Sequence, residues 1–157
     1  MSGTVAIRRA AAADLDAVVR LRLAFERITR DSGSLGDGTP GESARRAELS
    51  ALFCRDMERG RLLCWLAESG GRAIAQAALR LRGRSAEAEI LNVYTEPAYR
   101  GRGIGAALVE AAIAEARALG LSRITLQPTE HSRRIYELAG FREEGRGMTL
   151  DLRDTGL

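Results

Sequence analysis

Arginine and glycine alternate in the segment YRGRGIGAAL, which runs from Tyr99 to Leu108 and continues into a run of alanine and leucine. This pattern favours a turn followed by a helix, whose first turn leaves backbone N–H groups without partners beside a partial positive charge. Glycine lets an anion approach that backbone closely. Arg100 and Arg102 add guanidinium groups that donate paired hydrogen bonds to phosphate. The segment therefore predicts a phosphate-binding site; the alternative is that its glycines serve only a tight turn.

The type of phosphate ligand is restricted by residues that the sequence lacks. GRGIGA fits the G-x-G-x-x-A pattern of dinucleotide-binding folds. Those folds carry an acidic residue at the end of the next strand, where this chain has Gln127. A Walker-type loop uses a lysine on the phosphates, and the chain contains no lysine. A nucleotide-binding protein of another class stays open as an alternative.

Helices and strands that position this turn alternate along the chain. Apolar periodicity and turn-forming residues predict the order β-α-α-β-β-β-α-β-α-β-β. The chain of 157 residues predicts one domain over residues 1–157. We expect a mixed α/β (α+β) fold with a central mixed sheet of about seven strands and helices on both faces. The main predicted elements are a strand at Thr4–Arg9, a helix capped by Asp14, a loop at Asp31–Ser43, a helix at Glu42–Glu58, a strand at Glu87–Thr95 and a helix at Gly103–Gly120.

Composition argues against several classes of partner. The basic residues are all arginine, exceed the acidic residues by three and are interleaved with them, while aromatic residues make up only 4%. We therefore expect no nucleic-acid partner. The sequence shows neither a signal-peptide pattern nor an apolar run of membrane-spanning length, so we expect no membrane partner.

The two cysteines lie in apolar segments, LFCRDM around Cys54 and RLLCWLA around Cys64. Their spacing is not that of metal ligands, and we expect no bound metal. Buried, reduced thiols are typical of such contexts and of a reducing compartment. The sequence therefore predicts a cytoplasmic protein.

Two motifs resemble the signature of the GNAT superfamily of acetyl-CoA-dependent N-acetyltransferases. Arg100, Gly103 and Gly105 fill the pattern R/Q-x-x-G-x-G/A that follows a strand in that family. Downstream, RRIYELAGF resembles the family's A-x-x-(F)-Y-x-x-x-G-F segment, with Tyr136, Gly140 and Phe141 in place. The predicted element order is similar over nearly the whole chain. The resemblance implies a GNAT-like fold and acetyl-CoA as the co-substrate.

The resemblance also implies how acetyl-CoA binds. Its pyrophosphate would contact the N–H groups of Arg102–Ala106, and its pantetheine arm would follow the strand ending at Thr95. In the family a bulge separates that strand from its neighbour, and Val93 or Tyr94 would donate a backbone N–H to the thioester carbonyl. Thr129 stands where many members have a cofactor-binding asparagine. The implied cofactor-binding residues are Val93, Tyr94, Thr95, Arg100, Gly101, Arg102, Gly103, Ile104, Gly105, Ala106 and Thr129.

Two side chains are implied as catalytic. Tyr136 resembles the family's general acid, since a phenol with a pKa of roughly 10 carries its proton at neutral pH; the alternative is a ring that only packs on the sheet. Some members use a glutamate on the strand before the turn as general base, often through water. Glu87 is nearest to that position, and Glu89 shares its face of the strand. The alternative is a solvated carboxylate, and Asn92 is a lesser polar candidate.

The sequence contains fewer family motif residues in the region of the acceptor site. In the family this site is built from the first two helices, their loop and the last strands. Acidic residues in this region could attract a cationic amine, and solvated helix ends explain them equally well; these residues are Glu26, Asp31, Asp37 and Glu42. His131, the single histidine, is interpreted as a surface or helix-terminal residue.

The function implied by the resemblance is direct transfer of an acetyl group to a primary amine of a small molecule or peptide. Small free amines, amino acids, aminoglycosides and peptide amines all stay open as acceptors. The alternative function is a catalytically silent acyl-CoA-binding or sensing module. Family members commonly form homodimers, and the sequence itself does not establish one here.

Overall fold

Helices and strands follow one another in the predicted order in the computed structural model, which describes residues 4–31, 41–129 and 132–153. Short 3-10 turns lie at Ala12–Asp14 and Pro97–Tyr99. The strands are β1 Val5–Arg9, β2 Leu62–Ser69, β3 Arg72–Leu81, β4 Glu87–Thr95, β5 Arg123–Leu126, β6 Arg142–Glu144 and β7 Gly147–Asp151. The helices are α1 Leu15–Asp31, α2 Glu42–Glu58, α3 Ile104–Ala118 and α4 Arg133–Leu138.

One sheet contains all seven of these strands, in the order β1-β2-β3-β4-β5-β7-β6. The β4–β5 pair is parallel and every other pair is antiparallel. The parallel ladder is short, because it joins only Glu87 to Arg123, Ala88 to Ile124 and Glu89 to Thr125. Beyond Glu89 the two central strands are no longer paired, and β5 ends at Leu126, so β4 continues toward the glycine-rich turn without β5 as a partner.

Helices cover both faces of the sheet, as predicted. Leu108 and Val109 of α3 lie in one buried core, together with Tyr136 of α4. Val18 of α1 and Leu49 of α2 lie in a second buried core on the other face. We call these faces the α3 face and the α1 face. The predicted mixed α/β fold of seven strands with helices on both sides is confirmed.

The beginning of α1 differs from the prediction that Asp14 is its N-cap. Asp14 ends the 3-10 turn that precedes the helix, and its carboxylate accepts the N–H of Ala11 at 2.7 Å. It also pairs with Arg8 on β1. The side chain therefore caps the 3-10 turn and not the first turn of α1. The predicted loop at Asp31–Ser43 falls largely outside the described residues.

Candidate active site

The N-terminus of α3 presents backbone donors without partners. Gly103 is the N-cap residue, with a φ of 80°, and the first bond of the helix runs from the Ala107 N–H to the Gly103 carbonyl at 3.1 Å. Among the described residues, none accepts a hydrogen bond from the N–H groups of residues 101–106. These donors and the helix dipole favour an anion at this point.

Glycine is required in this turn by conformation and not by crowding. Gly101 and Gly103 have φ angles of 79° and 80°, which side chains rarely adopt. A Cβ atom at either position would meet nothing within 4 Å. The space above the turn therefore stays open to a ligand. Gly105 has a different environment, because a Cβ there would lie 3.5 Å from Cδ1 of Ile135 and 3.9 Å from Oγ1 of Thr95.

The arginines of the turn stack on nearby aromatic rings. The Arg100 guanidinium lies 5.6 Å from the ring centre of Tyr94, and its Nε donates to the Thr95 carbonyl at 2.8 Å. The Arg102 guanidinium lies 5.1 Å from the ring centre of Tyr99. Both Nη groups of Arg100 are without a partner in the described part of the chain. These groups could donate to phosphate.

A bulge interrupts β4 shortly before the turn. Gln76 pairs with Tyr94 and Ala78 with Leu91, so two residues of β4, Asn92 and Val93, stand opposite one residue of β3. Asn92 has a φ of 59° and is the non-glycine residue with positive φ among those described. The bulge also changes which face the side chains occupy.

The change of face is visible in the packing. Ile90 belongs to the core of the α3 face, whereas Tyr94 belongs to the core of the α1 face. In an unbroken strand, residues four apart would share a face. The bulge expected from the family resemblance is therefore present, next to both predicted backbone donors, Val93 and Tyr94.

A network of charged side chains reaches the bulge from α1. Arg22 Nη1 donates to Asn92 Oδ1 at 2.5 Å, and Arg22 Nε donates to Glu26 at 2.8 Å. Arg45 of α2 also donates to Glu26, at 3.0 and 2.5 Å. Hydrogen bonds from Arg45, followed by those from Arg22, lower the pKa of Glu26 to about 2 against the opposing effect of burial. Glu26 is thus an ionised carboxylate, and Arg22 and Arg45 are its arginine partners among the described side chains.

Two buried amide atoms beside the bulge have no partner. Asn92 is 3% exposed, and its Nδ2 donates to no described residue. Gln76 is fully buried; its Nε2 donates to the Val18 carbonyl at 3.3 Å, and its Oε1 is without a donor. Sequence reasoning gave Asn92 only a minor place and missed Arg22 altogether. The signals were a polar residue inside an apolar strand, and an arginine four residues before a glutamate on a helix.

Tyr136 lies in the core of the α3 face. It is 4% exposed and packs edge-on against Phe141, with ring centres 5.8 Å apart. Burial raises the pKa of its phenol to about 12, and a hydrogen bond with Ser132 opposes part of this shift. The Ser132 hydroxyl also lies 2.8 Å from the hydroxyl of Thr129. Thr129 is thereby tied to the start of α4, and His131 lies outside the described residues.

Glu87 is not brought together with the other predicted site residues. It begins β4, eight residues before Thr95, which corresponds to about 26 Å of extended strand. Its nearest charged partner is Arg123, at 3.9 Å. Glu89 lies 3.5 Å from Arg82 and 3.9 Å from Arg80. Both carboxylates belong to the end of the strand that pairs with β5, away from the turn.

The carboxylates predicted to attract a cationic amine are already paired where the structure describes them. Glu26 binds two arginines, and Glu42 lies 2.9 Å from Arg27. The side chains of Asp31 and Asp37 lie outside the described residues. Arginine partners at Glu26 and Glu42 weaken the prediction that these carboxylates attract a cationic amine, which stays a prediction.

The cysteines lie beside a cavity of about 240 Å³ that is separate from the turn. It lies between α2 and the first residues of β2, with Met57 and Leu62 in its wall. Cys64 is buried, which raises the pKa of its thiol to about 12, whereas Cys54 is only half-buried. The prediction of buried thiols therefore holds for Cys64 and is wrong for Cys54.

Comparison with known proteins identifies the family. Residues 25–141, well over half of the chain, match the sequence model of the Acetyltransferase (GNAT) family. The chain belongs to the GNAT acetyltransferase family. The resemblance of its two motifs is thereby confirmed, and the glycine-rich turn and the Tyr136 segment both fall within the matched GNAT domain.

Individual GNAT relatives agree in fold. A predicted acetyltransferase from Clostridium acetobutylicum, crystallised with acetyl-CoA, superimposes with a TM-score of 0.75 at 24% identity, covering 96% of this chain and 98% of that one. A GCN5-related N-acetyltransferase from Ralstonia eutropha JMP134 gives a TM-score of 0.74 at 26% identity, covering 90% and 94%.

A curated relative is closer in sequence over a shorter span. The glucosamine 6-phosphate N-acetyltransferase of Trypanosoma brucei brucei is 37% identical over 87 residues, which are 52% of this chain and 59% of that protein. The match thus spans about three fifths of the relative.

Two further observations concern the described residues only. None of their helices combines the length and apolar character needed to cross a membrane. No three of their histidine, cysteine, aspartate or glutamate side chains come together as ligands for a metal ion.

Proposed function

We propose that the protein transfers the acetyl group of acetyl-CoA directly to a primary amine of a small molecule or peptide. The observation that carries this proposal is the meeting of three features at the end of β4: the N-terminus of α3, the bulge at Asn92 and a stretch of β4 that is no longer paired with β5. Acetyl-CoA in the clostridial structure and the name of the trypanosomal relative support it.

Residues of the turn have the chemistry to hold acetyl-CoA. The N–H groups of residues 101–106 have no described acceptor and would bind the pyrophosphate, with Arg100 and Arg102 beside them. The stretch of β4 that is no longer paired with β5 would receive the pantetheine arm next to Thr95. When bound, acetyl-CoA supplies an activated acetyl group on sulfur.

The chain's own groups would then promote the transfer. The N–H of Val93 or Tyr94 would hydrogen-bond to the thioester carbonyl and stabilise the negative charge that develops on its oxygen. As the carbon–nitrogen bond forms and the carbon–sulfur bond breaks, Tyr136 would give its phenolic proton to the departing sulfur. A pKa of about 12 keeps that proton on Tyr136 at neutral pH. The amine nitrogen releases a proton to water, and Tyr136 regains one from water.

The catalytically silent acyl-CoA-binding module is the second candidate. The observation in its favour is that the predicted base, Glu87, lies far from the turn and that Glu26 is held ionised by two arginines. Proton removal from the amine is then left to water. A silent module would bind coenzyme A and lack turnover.

Release of the coenzyme A thiol, followed over a panel of primary amines, tests the proposal. Calorimetric binding of coenzyme A is measured on the same preparation. Binding together with thiol release for at least one amine supports the transferase. Binding without release for any amine favours the silent module. Failure to bind coenzyme A contradicts both functions.

A cytoplasmic location and a homodimer stay predictions. The buried thiol of Cys64 fits a reducing compartment. Fractionation of the cell of origin and light scattering of the purified protein test the two predictions separately.

A further inference from the structure

The direction from which the acceptor arrives follows from the two faces of the sheet. Tyr136, the proposed donor to the departing sulfur, lies in the core of the α3 face. Tyr94 lies in the core of the α1 face, and Asn92 is bound there by Arg22 of α1. The nucleophile and the leaving group occupy different corners of a tetrahedral intermediate. If the proposed transfer holds, an amine that approaches from the α1 face reaches the thioester carbon on the side away from Tyr136.

The carboxylates on the α1 side of the bulge are already ion-paired with arginines. Glu26 is shared by Arg22 and Arg45. Glu96, which follows β4, is shared by Arg20 at 3.0 Å and Arg72 at 2.6 Å. A cationic acceptor would find no described carboxylate here that lacks an arginine partner.

Arg22 differs from Arg45 in one respect. All three nitrogens of Arg45 donate, two of them to Glu26 and one to Glu48. Arg22 uses Nε on Glu26 and Nη1 on Asn92, and its Nη2 is without a partner in the described part of the chain. The side chain is 25% exposed, so this nitrogen is not sealed in the core. It is a donor held in place by two bonds and open to a ligand.

Aromatic rings hold Arg22 in the same position. Its guanidinium lies 5.7 Å from the ring centre of Phe25, and Phe25 packs edge-on against Tyr94 with ring centres 6.3 Å apart. A guanidinium fixed in this way loses little freedom when it binds a further group. Its bond is to the side chain of Asn92, the residue that precedes Val93, one of the two proposed donors to the reacting carbonyl.

We propose that the acceptor amine carries an anionic group, a carboxylate or a phosphate, and that Arg22 binds this group through Nη2. The proposal rests on the proposed acetyl transfer and names the substrate class of that site. Asn92 Nδ2 is buried and out of reach of a ligand, so Arg22 Nη2 is the donor proposed at this junction. Anions accept hydrogen bonds from such donors, whereas an ammonium group cannot.

Matched pairs of acceptors test the proposal. Glucosamine 6-phosphate is compared with glucosamine, and glycine with glycinamide, so that one pair probes phosphate and the other carboxylate. For at least one pair we expect kcat/KM to be roughly 10- to 100-fold higher for the anionic member. This is the factor expected from one hydrogen bond to a charged group. Equal rates, or faster rates with the neutral member of both pairs, would overturn the proposal.

Arg22→Met and Arg45→Met form a matched set of variants, because each removes one arginine from Glu26. We expect Arg22→Met to reduce the ratio between anionic and neutral acceptors to near one. Arg45→Met should keep the ratio, since Arg45 has no unused nitrogen. Arg22→Lys retains the positive charge but lacks the paired N–H donors of the guanidinium, and it should give an intermediate ratio. Loss of the ratio in both methionine variants would show that the network only supports the fold.

A binding measurement that requires no acetyl transfer separates failure of the anion site from failure of the proposed transfer. Glucosamine 6-phosphate and glycine are titrated calorimetrically into the protein in the presence of coenzyme A. Binding that depends on Arg22, without product from any amine, supports the anion site and rejects the transfer. Binding unaffected by Arg22→Met, or no binding alongside good turnover of neutral amines, overturns the anion site alone.

Discussion

Arg22 Nη1 donates to Asn92 Oδ1 at 2.5 Å and thereby joins helix α1 to the bulge of β4. The two residues are 70 positions apart in the chain. Asn92 holds a φ of 59° at this point, and Glu26 holds Arg22 from the other side. The backbone at the proposed reaction centre is thus supported by a side-chain network from the α1 face.

Two substitutions of Asn92 separate the effect of its backbone conformation on stability from the effect of its hydrogen bond to Arg22. Asn92→Ala and Asn92→Gly both remove the bond to Arg22, but only glycine adopts a φ of 59° without strain. We expect Asn92→Ala to unfold more easily than Asn92→Gly, by roughly 0.5–1 kcal/mol in urea denaturation. A glycine variant equal to or less stable than the alanine variant would show that the bulge is not strained.

Tyr136→Phe tests the proposed acid. The ring can still pack against Phe141, so the fold should be kept, while the proton donor is lost. We expect kcat to fall by about 10²- to 10⁴-fold, with little change in coenzyme A binding. Tyr99→Phe serves as control, since it removes a hydroxyl from a ring that stacks with Arg102 and packs against the core of the α3 face. Equal kcat values for the two variants would remove Tyr136 from the mechanism.

Two glycines at opposite ends of α3 provide a test position and a matched control for anion binding at the helix N-terminus. Gly103 has a φ of 80° and Gly120 a φ of 75°, and a Cβ at either position meets nothing within 4 Å. Alanine at either position should cost about 1 kcal/mol of stability, because the conformation is strained. Only Gly103→Ala should also weaken coenzyme A binding in calorimetry. Equal affinities in both variants would argue against pyrophosphate at this helix end.

Stability at low pH should depend on Glu26. Its pKa is lowered from 4.5 to about 2 in the folded protein, so its stabilising contribution is complete above pH 4.5 and is lost as the pH falls toward 2. Glu26→Gln lacks this contribution at every pH. We therefore expect the variant to be less stable at neutral pH and the two urea midpoints to approach one another toward pH 2. A constant difference between the midpoints would show that Glu26 does not titrate in this window.

Local pattern was sufficient to predict the element order. Apolar alternation marked β4, helical spacing marked α3, and the glycines at either end of α3 have the positive φ angles of turns. The glycine-rich turn and the Tyr136 segment were predictable for the same reason, because each is a short run of neighbours with its own conformational requirement.

The charged network could not be predicted in the same way. Arg22 and Glu26 are four apart on one helix, but Arg45 is 19 residues and Asn92 70 residues from its partner. Tertiary packing alone brings them together. Glu87 was placed by the family resemblance and by residue count; its role as general base stays a prediction, and its distance along β4 from the bulge became visible only in the fold.

The mass of the product is the most direct test of acetyl transfer from acetyl-CoA to an amine. The protein is incubated with acetyl-CoA and each amine of the panel, and the amines are analysed by mass spectrometry alongside a reaction without protein and one with Tyr136→Phe. We expect at least one amine to gain a single acetyl group on nitrogen, at a rate that falls strongly in the variant. Bound coenzyme A with no acetylated amine anywhere in the panel would contradict it.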